Sequence, residues 1–191
     1  MKTYGITGGI GSGKSYVCKM LEEKGYTVFY CDAVAKNLIR HDAQIRKRLK
    51  ALVGKEVYAK DGTLQKAVLS AYICTSRKQA EAVDAIVHPR VRHEYQVWQA
   101  EQYAAGKERA YMECALLFEA GFDDLVDKTV LVNTDKAARL SHIMQRDGIS
   151  REKAESWMML QMPEDEKRLR ADIIIENDYT TPPDIGGLLN D

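Results

Sequence analysis

The chain has 191 residues, 45% hydrophobic and 29% charged, the size and balance of a single globular domain that buries its own core. Lysine and arginine together number 28, aspartate and glutamate 28, so the formal net charge is zero; that excludes a diffuse polyanion binder and sets the expectation of no nucleic-acid partner. No apolar leader follows Met1, no apolar run approaches the ~20 residues of a membrane helix, and Cys18, Cys31, Cys74 and Cys114 lack metal-ligand spacing, so the expectation is a cytoplasmic protein with reduced thiols and no membrane contact.

The first strand is expected over Lys2–Ile6, followed by a glycine-rich turn and a helix from Lys14 to Lys24 that turns Val17, Met20 and Leu21 inward and stops at Gly25. A second strand follows at Tyr26–Tyr30. Residues 31–108 are too many for one crossover and read as mostly helical: Asp42 can cap a helix to Val53, Ser76-Arg77-Lys78-Gln79 is a capping box, and a third helix is expected from Pro89 to Ala105, with Val91, Tyr95, Trp98 and Gln102 at helical spacing. Strands return at Arg109–Glu113 and Thr129–Val132. Residues 133–171 then hold three expected helices, Asp135–Arg146, Arg151–Gln161 and Pro163–Arg170, before a last strand at Asp172–Ile175.

Five strands alternating with helices imply a five-stranded parallel sheet covered on both faces, a three-layer α/β/α fold. With no repeat or Pro/Gly-rich linker, residues 1–191 read as one domain interrupted by two helical insertions, 31–108 and 133–171.

After the first strand comes Gly8-Gly9-Ile10-Gly11-Ser12-Gly13-Lys14-Ser15, the G-x-x-x-x-G-K-[ST] pattern of a phosphate-binding P-loop in its strand–loop–helix setting. Its glycines let backbone N–H groups, including those of Gly11, Ser12 and Gly13, converge on one anion, and the helix N-terminus adds partial positive charge. The pattern predicts Lys14 on the β- and γ-phosphates of ATP, the Ser15 hydroxyl on a bridging Mg²⁺, and the Tyr16 N–H facing the α-phosphate.

Because ligands of such sheets bind at the carboxyl ends of the strands, Asp32 after strand two and Glu113 at the end of strand three are expected on the same edge. One carboxylate there can accept a proton from an acceptor hydroxyl and another can hold Mg²⁺ through water. Asp32 reads equally as an N-cap for a helix beginning at Ala33, and Glu113 as the partner of a lysine.

These residues resemble the dephospho-CoA kinase family along nearly the whole chain. Gly5 to Ser15 is similar to its opening signature, Cys31-Asp32-Ala33 to its Asp-Ala-Asp segment, and Asp61-Gly62-Thr63-Leu64 to its Asp-Gly-x-Leu turn. His88-Pro89-Arg90-Val91 resembles its His-Pro motif, Leu116-Leu117-Phe118-Glu119 its Leu-Leu-Phe-Glu, and Gln145-Arg146-Asp147 and Ala171-Asp172 to Asn177 its lid and final strand.

The resemblance implies a P-loop kinase core with a helical acceptor-binding insertion and a lid, transferring the γ-phosphoryl of ATP to the ribose 3′-hydroxyl of dephospho-CoA. It implies Asp32 as general base, Arg146 as the lid arginine that meets the γ-phosphate, and His88 and Arg92 in the acceptor region, where His88 reads equally as a histidine shaping a helix entry. Tyr30, Ala115 and Asp178 depart from the family pattern, as do Arg139 and His142, where glutamine and arginine are more usual.

Two other readings stand beside this one: a kinase of another small acceptor such as a nucleoside monophosphate, and a nucleotide switch without transferase activity. The basic run Arg46-Lys47-Arg48 with Lys50 reads as a solvated helix face, Tyr95 and Trp98 as core, and Trp157, Met158 and Met159 as apolar surface that packs on the core when a lid closes.

Overall fold

A computed structural model describes residues 1–189. Strand β1 (Lys2–Thr7) is hydrogen-bonded on both sides, so its side chains meet core on both faces, and Tyr4 and Ile6 are fully buried. Around it run β2 (Val28–Tyr30), β3 (Arg109–Glu113), β4 (Lys128–Asn133) and β5 (Ile173–Glu176). The order is β2-β3-β1-β4-β5 and every pairing is parallel. The five-stranded parallel sheet expected from the sequence is therefore present, with β3 at the expected residues and the other strand ends within two residues of expectation.

Parallel register brings all carboxyl ends to one edge. Ile6 pairs with Glu113 and Tyr30 also pairs with Glu113, so the ends of β1, β3 and β2 lie side by side. The chain crosses to one side of β1 for β2 and β3 and to the other for β4 and β5, which makes the carboxyl end of β1 the switch point where such sheets bind ligands.

Helix α1 (Lys14–Glu23) buries Val17, Cys18 and Leu21 on one stripe. They join a core with Tyr4, Ile6, Tyr111, Val130, Val132 and Ile175. Tyr4 and Tyr111 stack at 5.3 Å, and the Tyr111 hydroxyl donates to the Leu188 carbonyl at 2.7 Å, so this buried phenol keeps a partner.

The chain divides into two compact units, Cys31–Trp98 and the remainder. The first holds α2 (Cys31–His41), α3 (Ala43–Val53), α4 (Lys66–Ile73) and most of α5 (Arg77–Ala104). Asp42 caps α3 as expected, accepting from the N–H groups of Gln44 and Ile45, and its other oxygen meets Arg90 at 3.2 Å. Tyr95 is buried and its ring lies 5.8 Å from Trp98, as core aromatics should. Of the basic run, Lys47, Arg48 and Lys50 are exposed, whereas Arg46 lies over the Tyr58 ring at 4.6 Å.

Three expectations for this unit are corrected. No helix begins at Pro89: α5 opens at the Ser76–Gln79 capping box and continues through the proline, because Val83, Ile86, Val87, Val91 and Tyr95 bury one stripe spanning it. His88 therefore does not shape a helix entry. Asp32 does not cap a helix starting at Ala33, since α2 begins at Cys31 directly from β2 and leaves Asp32 inside its first turn. Helix α4 was not anticipated from the sequence.

Between β4 and β5 run α6 (Lys136–Asp147), α7 (Arg151–Met158) and α8 (Glu164–Arg170), capped at their starts by Asp135 and Ser150 and preceded by Pro163, close to expectation. A last short helix, α9, spans Gly186–Leu189. Among the described residues no helix is long and apolar enough to cross a membrane. Cys18, Cys31 and Cys114 are buried, Cys74 is exposed, and all four are free thiols.

Candidate active site

The turn from β1 into α1 has the backbone that its glycines demand. Gly13 is left-handed (φ 88°) at the N-cap of α1, and a Cβ there would strike the side-chain nitrogen of Asn177. That nitrogen donates to the Ser12 carbonyl at 2.9 Å, the Thr134 hydroxyl sits between the Ser12 carbonyl (2.9 Å) and the Asn177 carbonyl (2.8 Å), and the Tyr179 hydroxyl donates to the Gly11 carbonyl. Side chains from the ends of β4 and β5 thus hold the loop's carbonyls outward, which turns its N–H groups toward the space an anion would fill.

Lys14 is 8% exposed and folds back over the loop, its ammonium donating to the carbonyls of Gly8 (2.9 Å) and Gly9 (3.2 Å). Ser15 and Tyr16, on the next positions of α1, are exposed. Gly11, Ser12, Gly13, Lys14, Ser15 and Tyr16 are therefore gathered at one helix N-terminus, as the sequence required.

Glu113 is buried at the end of β3, beside the end of β1. Cys18, one turn along α1 from Lys14, has its thiol pushed well above the ordinary range, by burial first and by the Glu113 charge second, with Lys14 acting in the opposite sense. A thiol so placed stays protonated and is no nucleophile. Tyr30 at the end of β2 is raised likewise by burial, then by Cys18, Glu22 and Glu113, so this departure puts a neutral phenol where the family pattern has a carboxylate.

The helices between β4 and β5 meet the loop closely. Gln161 Oε1 accepts from the Ile10 N–H at 2.7 Å and Glu164 Oε1 from the Gly9 N–H at 3.4 Å. The Arg139 guanidinium lies against Gly9 and pairs with Glu164 at 2.7 Å, its side chain 9% exposed. Ile10, Trp157 and Met158 pack on a small core of Leu140, Ile143 and Ala154, while Met159 is 79% exposed. The expectation for these three apolar residues thus separates: Trp157 and Met158 already have a core, and Met159 does not.

Arg146, in the last turn of α6, is half exposed and holds Asp147 through two bonds of 3.0 and 2.7 Å. His142 stacks on Tyr179 at 4.8 Å. In the Cys31–Trp98 unit, Asp32 is exposed, His88 is partly buried with Nε2 3.4 Å from Asp84 one turn earlier, and Arg92 is partly buried one turn later on α5.

Sequence reasoning missed Gln161, Glu164 and Tyr179. Glu164 carried one signal, its place at the head of an acidic helix start after Pro163, but such a residue normally serves the helix dipole. Tyr179 is the one non-glycine residue with positive φ (62°) among those described, a conformation that no sequence pattern announces.

The dephospho-CoA kinase (CoaE) family model matches residues 3–182. The chain belongs to the dephospho-CoA kinase family. It is 38% identical to the Salinibacter ruber dephospho-CoA kinase over 180 residues, covering 94% of this chain and 90% of that protein. It is 39% identical to the Bacteroides fragilis enzyme of that name over 178 residues, 93% and 85% of the two chains. The crystal structure of TT1252 from Thermus thermophilus matches with a TM-score of 0.77 at 33% identity, over 94% of this chain and 90% of that one. The dephospho-CoA kinase from Campylobacter jejuni, at 24% identity, shares the fold with a TM-score of 0.67 over 93% and 89%. The protein is a kinase of the P-loop class, and ATP is its phosphoryl donor.

Proposed function

We propose that the chain transfers the γ-phosphoryl group of ATP to the ribose 3′-hydroxyl of dephospho-CoA, giving CoA and ADP, with Asp32 as general base. The observation that carries this reading is the P-loop at the switch point of a parallel sheet, in a chain matched by the family model over residues 3–182. Asp32 accepts the 3′-hydroxyl proton as the oxygen bonds to Pγ, and the bond from Pγ to the β–γ bridging oxygen breaks, leaving ADP. Asp32 follows β2 by two residues, and β2 runs parallel beside β3, which supports its delivery to the same sheet edge.

Lys14 leaves the Gly8 and Gly9 carbonyls for the β- and γ-phosphate oxygens, which are stronger acceptors for an ammonium because they are charged. Residues 133–171 act as a lid, and Arg146 exchanges Asp147 for the γ-phosphate as the lid closes. The unit beginning at Cys31 holds the acceptor, and His88 and Arg92 on α5 are the residues we assign to it.

The donor set fits Mg²⁺ that arrives on the phosphates: Ser15 offers an exposed hydroxyl, Glu113 can act through water, and among the described residues no three His, Cys, Asp or Glu side chains gather to cage a metal unaided. When bound, the ion would offset the negative charge of the phosphates it arrives with. Four free thiols suit a reducing compartment, and we place the reaction in the cytoplasm.

The assignment of Asp32 is tested by Asp32→Asn. A general base contributes about 10²–10⁴-fold, so kcat with dephospho-CoA should fall by that range while the Kd for ATP stays within about twofold. Unchanged turnover would remove Asp32 from the mechanism.

A further inference from the structure

Arg139 lies directly against the P-loop. Its guanidinium occupies the space a Cβ on Gly9 would need, and the same Cβ would lie 2.7 Å from Glu164 Oε2. The side chain is nine-tenths buried, yet its Nε has no hydrogen-bond partner among the described residues, and neither has the buried Ser12 hydroxyl in the same loop. A buried N–H without an acceptor is costly and rare. One carboxylate, Glu164, answers both the guanidinium and the Gly9 N–H, at 2.7 and 3.4 Å. A carboxylate bridging an arginine and a loop N–H has the charge and acceptor geometry of one face of a phosphate.

We propose that Arg139 is a phosphate-binding residue for the terminal phosphate of ATP, and that Glu164 is its internal stand-in, displaced when the nucleotide enters. The proposal rests on the P-loop kinase reading given above and adds a second arginine to it. Arg146 stands half exposed on Asp147, whereas Arg139 is already seated on the loop and needs only to exchange one anion for another. The phosphate supplies what Glu164 does not, an oxygen within reach of Nε, so the fork of donors is completed on exchange. The fraction of molecules with Arg139 held by Glu164 lowers apparent ATP affinity in proportion, and weakening that hold raises it.

The test compares ATP and ADP affinities of the full chain by calorimetric titration for wild type, Arg139→Gln, Arg139→Lys and Glu164→Gln, with the melting temperature of each nucleotide-free protein. Arg139→Gln should weaken ATP by about tenfold and ADP by no more than about twofold, the loss of one charge-assisted contact to the terminal phosphate. Arg139→Lys, which keeps charge and loses the fork, should fall between. Glu164→Gln should tighten ATP by about three- to tenfold. Equal losses for ATP and ADP, or none, in the arginine variants would overturn the assignment of Arg139. Weaker or unchanged ATP binding in Glu164→Gln would overturn the exchange and leave the pair a brace between helices. Should Arg139→Gln fail to fold, the other two variants decide the matter. Wild type that bound neither nucleotide would instead contradict the P-loop kinase reading itself.

Discussion

Asp172 shows how one side chain can set the acid limit of this fold. Its carboxylate accepts from the N–H and hydroxyl of Thr129 at 2.7 and 2.8 Å and lies 3.6 Å from Lys128, at the start of β5. The Thr129 N–H and hydroxyl, more than Lys128, hold its pKa below the ordinary aspartate value. A folded-state pKa below the unfolded one means stability that is present above about pH 4 and lost as pH falls through the folded value. Because the side chain is 40% exposed, we expect Asp172→Asn to cost on the order of 1 kcal/mol at pH 7. Urea midpoints of the two proteins should converge once pH falls below the folded-state pKa of Asp172; a difference that persisted there would show that the bond geometry, not the charge, is what matters. None of this was legible in the sequence, since the pairing joins residues from different strands. By contrast Gly13, Lys14 and Ser15 were legible, because their chemistry is local to one turn.

Among elements, α5 is the instructive case. Pro89 lacks the N–H that a helix interior uses, and on that ground a boundary was expected there; the helix instead runs from Arg77 to Ala104. Burial of Val83, Ile86, Val87, Val91 and Tyr95 along one stripe exceeds the local cost of the proline, about 3 kcal/mol relative to alanine. Proline also restricts the unfolded chain, which returns up to about 1 kcal/mol. Pro89→Ala should therefore stabilise the protein by about 2 kcal/mol, read as a higher urea midpoint with an unchanged slope. A lower midpoint would show that the packing of α5 depends on the distortion the ring imposes. Asp42 at the start of α3 and the β-branched run Ile173-Ile174-Ile175 of β5 mark their own positions, whereas the buried stripe that carries α5 past Pro89 exists only in the fold. Helix α4, whose N-cap Gln65 makes no side-chain cap bond, carried no such mark.

For the whole molecule, a net charge of zero first excluded a polyanion surface, and the fold shows how a polyphosphate can be held without one. Backbone N–H groups, Lys14 and Arg139 gather at one end of β1, with Glu113 and Glu164 as local counter-charges. The parallel sheet and the P-loop followed from the sequence; the strand order and the way Gln161, Glu164 and Tyr179 hold the loop did not, because those side chains reach it only through tertiary packing. The central claim is the acceptor, and the most direct measurement is ADP release, coupled to an indicator enzyme, from the purified chain with ATP and Mg²⁺. Dephospho-CoA should drive ADP release well above the rate without acceptor, while nucleosides and nucleoside monophosphates should not. Activity on a member of that panel, with none on dephospho-CoA, would contradict the account.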